Sequence, residues 1–130
     1  ETFFENRLFA SKYKKFLIRI MTETSTGQDK LKGLLPPDCT VGHKTGSSDR
    51  TSTGVKIADN DAGFVLTPDG KRYYIAVFVS DSQEDDPTNA SIIARISAIV
   101  YDFMIRPTDP NRPTLCHPES VSADDAAGSP

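Results

Sequence analysis

The chain alternates between stretches with helical and with extended patterning. In "SKYKKFLIRIMTET", Phe16, Leu17, Ile20 and Met21 recur at spacings of one, three and four, which predicts a helix with Ser11 as a candidate N-cap. Gly27 ends that segment. "QDKLKGLLPP" reads as a short helical turn closed by Pro36 and Pro37. "CTVGHKTGSS" is a strand interrupted by glycines, and a polar loop follows from about Ser48 to Lys56.

The clearest local pattern is "DAGFVLTPDGKRYYIAVFVSD". Two apolar runs flank Pro68-Asp69-Gly70-Lys71, where proline presets φ and glycine tolerates a positive one. That is a β-hairpin. Its second run is apolar at both alternating sets of positions, so the strand is expected to be covered on both faces. "DDPTNASIIARISAIVYDFM" predicts a helix, with Asp86 as cap and Pro87 at the first helical position. Ile92, Ile93, Ile96, Ile99, Val100 and Phe103 form an apolar stripe expected to pack on the sheet. The predicted class is α/β (α+β), an antiparallel sheet packed with helices.

Composition adds boundaries. Residues 1–106 read as one unit, and 107–130, rich in Pro, Ser, Asp and Ala, as a disordered tail unable to offset its ordering entropy. A chain of 130 residues is long enough to bury a real core. The net charge of −3 offers no electrostatic reason for a nucleic-acid or membrane partner. The longest apolar run, Tyr73 to Val79, is too short to span a bilayer. Cys39, Cys116, His43 and His117 lack metal-ligand spacing, so no metal and no cofactor are expected. The opening "ETFFENRLF", without an initiator Met or a signal-peptide pattern, reads as a fragment or a mature product.

The ordered set "TSTG", "LKGLLP", "HKTGS", "ND", "PDGK" and "IAVFV" resembles the C-terminal part of a class A serine β-lactamase. The long loop between "HKTG" and "ND" is similar to that of the subgroup with broadened cephalosporin activity. The resemblance covers most of Glu1 to Met104 and implies a β-lactamase/transpeptidase-like fold, in which antiparallel strands pack with helices. It also implies a β-lactam substrate, acyl-enzyme hydrolysis, and a periplasmic or secreted location.

By this resemblance Lys44, Thr45, Gly46 and Ser47 line the site. Lys44 is the cation facing the substrate carboxylate and setting the electrostatics of the nucleophile. The Thr45 hydroxyl donates to that carboxylate, a charge-assisted contact worth roughly 1.5–3 kcal/mol. Gly46 keeps a Cβ out of the ligand's way. Ser47 offers a backbone N–H to the oxyanion and a hydroxyl to the carboxylate. Lys30 stands where the subgroup often has an arginine as second cation, without an arginine's bidentate fork. His43 reads as a ring packed behind the strand, and Asn60 and Asp61 as residues that fix strand and loop.

The family's Ser-x-x-Lys nucleophile, its "SDN" loop and its deacylating glutamate belong upstream of this region. "SKYK", Ser11 to Lys14, fits Ser-x-x-Lys only formally and is a chance match. The chain alone is therefore expected to be an inactive fragment, with the missing N-terminal half of the fold as its partner. The alternatives are a penicillin-binding DD-peptidase relative, which shares "KTG", and a non-catalytic module.

Overall fold

The computed structural model describes residues 11–106. Five elements follow in order: α1 (Ser11–Thr22), β1 (Thr40–Ser47), β2 (Lys56–Leu66), β3 (Arg72–Ser82) and α2 (Asp86–Ile105). The strands form one antiparallel sheet in the order β1-β2-β3. The expectations for residues 107–130, including Cys116 and His117, lie outside the described residues.

The hairpin forms where its turn chemistry places it. Thr67 and Lys71 close the loop, the Thr67 N–H donating to the Lys71 carbonyl at 2.9 Å. Gly70 sits at φ 83°, a conformation that a Cβ disfavours. The Thr67 hydroxyl donates to Asp69, and this hydrogen bond, followed by one from Lys71, holds the Asp69 carboxyl below its ordinary value.

Strand register sorts the side chains into two faces. Val41 lies opposite Val65, and Val65 opposite Tyr73, so these three share one face. With Cys39 they form a buried cluster, joined by Leu35, Ile75, Val100, Tyr101 and Met104. A second cluster on the same face joins Leu31, Val77 and Ile93. This face is covered by α2 and by the turn around Leu31. Leu31, Val65 and Ile93 are fully buried, worth roughly 1.5–3 kcal/mol each in hydrophobic transfer.

The opposite face of β3 is bare among the described residues, which corrects the expectation of a strand covered on both sides. Tyr74 and Phe78 point that way and are 46% and 74% exposed. α1 packs beside β1, two strands away, and buries none of its own residues. Tyr13, Phe16 and Ile20 on α1 stay exposed.

The α2 stripe is corrected too. Its buried residues are Asn89, Ala90, Ile93, Ala94 and Ser97. Ile92, Ile96, Ile99 and Phe103 remain exposed. These four recur at helical spacing and form a second stripe, roughly a third of a turn round the helix from the first. The sheet takes the side with small residues, because Ala90, Ala94 and Ser97 allow close approach. α2 is capped one residue earlier than expected: Asp85, not Asp86, accepts from the Thr88 N–H at 2.8 Å. Asp86 instead receives Arg50 at 2.6 Å and Lys56 at 3.3 Å, tying the Ser48–Val55 loop to the start of the helix. At 20 residues and mean hydropathy 1.2, α2 is long and apolar enough to cross a membrane, but one side of it is seated on the sheet.

Candidate functional site

β1 is an edge strand, paired only with β2 among the described residues. Its alternation separates the "HKTG" residues. His43 and Thr45 face the covered side, whereas Lys44 and Gly46 face the bare one. Lys44 is exposed, and its ammonium donates to the Thr45 carbonyl. Among the described residues no carboxylate pairs with it. A Cβ built on Gly46 would meet nothing within 4 Å, so the strand presents open space there. Ser47 ends the strand, exposed and in register with Asp59. The four residues therefore share one short edge segment, with an unneutralised cation and a cleared glycine side by side.

Lys30 does not join them. Its ammonium lies 2.5 Å from the Asp59 carboxylate, with the two side chains 11% and 3% exposed. The charge expected to meet a substrate is taken up inside the protein. The reason is register: Asp59 stands opposite Ser47 on the covered face, where the turn carrying Lys30 packs.

Two residues along β2, Asp61 is fully buried opposite Thr45. Its carboxylate oxygens lie 3.0 and 2.9 Å from His43 Nδ1 and accept the Leu31 N–H at 3.2 Å. A carboxylate only accepts, so the His43 Nδ1–H is the donor. His43 is 1% exposed, behind the strand as expected, and its Nε2 is buried with no partner among the described residues. Asn60 Oδ1 accepts the Val79 N–H at 3.1 Å, bracing β3. Asn60 and Asp61 thus hold the fixing role expected from the sequence, and Asp59, given no role from the sequence, joins them. The available signal was spacing: carboxylates two apart in a strand share a face.

The segment from Thr24 to Leu31 lies across the covered side of β1. Thr24 Oγ1 is 3.1 Å from Thr26 Oγ1, which is 3.4 Å from Thr45 Oγ1. Gly27, at φ 65°, permits the approach: an added Cβ would come 2.3 Å from Thr45 Cγ2. Away from this region, burial pushes the Cys39 thiol up and the Tyr73 hydroxyl up to about 12. Both belong to the core.

The same elements recur in known proteins. A family model for the β-lactamase enzyme family matches residues 4–104. A β-lactamase of Bacteroides uniformis is 60% identical over 101 residues, covering 77% of this chain and 34% of the relative. The extended-spectrum β-lactamase PER-1 of Pseudomonas aeruginosa is 42% identical over 104 residues, covering 79% of this chain and 33% of the relative. The chain thus spans about a third of the length of these relatives. Among solved structures, a class A β-lactamase from Bacteroides cellulosilyticus superposes with a TM-score of 0.76 at 65% identity, covering 79% of this chain and 37% of that one. The extended-spectrum β-lactamase TLA-1 gives a TM-score of 0.78 at 43% identity, covering 81% and 38%. The antiparallel sheet and the helices packed on it are those of a class A serine β-lactamase, and the chain belongs to that family.

Proposed function

We propose that this chain supplies the "KTG" wall of a β-lactam-hydrolysing site, and that the nucleophile and the deacylating glutamate come from a segment outside it. The observation that carries the reading is Lys44: an exposed, unneutralised cation on an edge strand, beside the cleared Gly46. In the reaction, Lys44 attracts the substrate carboxylate and lowers the energy of negative charge near the nucleophile. Thr45 donates its hydroxyl to the same carboxylate. Ser47 gives its backbone N–H to the oxyanion that develops when the amide carbonyl is attacked. Lys30 is not part of this clamp, because Asp59 already holds its charge. The substrates are β-lactams, penicillins and cephalosporins among them, and the family resemblance supports a protein that works in the periplasm or outside the cell.

The test uses the full-length protein that contains this chain. Lys44→Ala is expected to lower nitrocefin turnover by ~10²–10³-fold, the usual cost of one preorganised electrostatic contact. Lys44→Arg, which keeps the cation, is milder. Near-normal hydrolysis by the alanine variant sinks the reading. The isolated chain is expected to show no turnover and, by intact-mass spectrometry, no penicillin adduct on Ser11.

A further inference from the structure

Beneath the "KTG" strand the molecule carries more buried charge than the hydrolytic reading uses. Asp59 and Asp61 are 2% and 0% exposed and stand opposite Ser47 and Thr45. Both reach into the Thr24–Leu31 strap rather than toward open space. Asp59 takes the Lys30 ammonium, and Asp61 takes the Leu31 N–H together with the His43 ring. At the other end of the strap Thr24, Thr26 and Thr45 form a chain of hydroxyls, 3.1 and 3.4 Å apart. Placing buried charge is costly unless it is fully paired. Here the pairing joins three separate pieces of chain at the point where Thr45 is presented.

We propose that Asp59 and Asp61 are positioning residues for recognition of the substrate carboxylate, acting through the Thr24–Leu31 strap on the Thr45 hydroxyl. A hydroxyl has one proton to give and two lone pairs. When Thr26 donates to Thr45 Oγ1, the Thr45 proton is free to point at an anion, and a donor that also accepts is strengthened by polarisation. The strap must stay seated for that geometry to hold. Gly27 sets the distance, since any Cβ there collides with Thr45 Cγ2 at 2.3 Å. The two carboxylates hold the strap down. This proposal rests on the reading that Lys44 and Thr45 bind a carboxylate.

The experiment compares benzylpenicillin with its methyl ester, which differ only in that carboxylate, on the full-length protein. Asp61→Asn and Thr26→Val are each expected to lower kcat/KM for the acid about tenfold or more, mainly through KM, as loss of an oriented hydrogen bond to a charged group predicts. The ester should change by no more than about twofold. Thr26 is exposed, so its variant reads the link from strap to Thr45 even if Asp61→Asn fails to fold, and Asp61→Glu then reads the carboxylate. Asp61→Glu, which keeps the charge, should recover part of the acid's KM. Equal losses for acid and ester, or no loss, overturn the proposal. Lys44→Ala separates the two levels. If it narrows the acid-to-ester ratio while the Asp61 and Thr26 variants do not, the strap inference alone is wrong. If it leaves the ratio unchanged, no carboxylate clamp exists and both readings fall.

Discussion

Lys30→Met in the full-length protein tests whether this lysine serves the fold or the substrate. The substitution keeps the length of the aliphatic stem and removes the charge. It leaves the Asp59 carboxylate, 3% exposed as a side chain, without the ammonium that now sits 2.5 Å away. Breaking one side of a buried pair costs ~3–5 kcal/mol, because the remaining charge is neither solvated nor compensated. Both groups are buried, so screening by solvent does not shrink that figure as it does for surface pairs. Replacing both members, as Lys30→Met with Asp59→Leu, should recover most of the loss, since apolar replacement of a whole buried pair is often neutral. Urea unfolding of the parent, both single variants and the double variant gives the coupling directly. A Lys30→Met protein as stable as the parent but with a raised KM would refute the reasoning and return Lys30 to the substrate.

Other outcomes follow from the same geometry. Gly27→Ala combines a strained positive φ with a 2.3 Å contact on Thr45 Cγ2, so it should cost ~1–3 kcal/mol in urea unfolding; a neutral effect would mean that the strap is loose. Ile93→Ala, at 0% exposure between Leu31 and Val77, should cost ~2–5 kcal/mol. Ile99, 68% exposed here, should tolerate Ser in the isolated chain but not in the full-length protein if another element covers its stripe; equal thermal shifts in both would refute that. Asp85 is lowered below its ordinary 3.8 by hydrogen bonds from Thr88, and Asp86 is lowered by hydrogen bonds from Arg50 and then Lys56. A lowered carboxylate contributes stability that is present above the ordinary value and lost as pH falls through the folded one. Asp86→Asn should therefore reduce the loss of stability on acidification below about pH 4, as read by thermal melts across pH.

Much of this protein was determined by short-range chemistry and is legible in the sequence. The hairpin needed only Pro68-Asp69-Gly70-Lys71 and the apolar runs beside it, because turn torsions are properties of those residues alone. The "HKTG" strand and the α2 helix were legible for similar reasons, and the ordered motifs carried the family. Tertiary structure decided which apolar and charged groups meet. Periodicity marks an apolar arc on α2 but not the part of it that the sheet takes, and packing chose the small residues Ala90, Ala94 and Ser97 over Ile92, Ile96 and Ile99. A strand apolar at every position reads as covered on both faces, yet among the described residues the positions of α1 and α2 leave Phe78 in the open. Lys30 reads as a substrate cation when aligned by motif. Strand register set Asp59 beneath it, and a buried ammonium pairs with the nearest buried carboxylate, because water is not there to hold either charge.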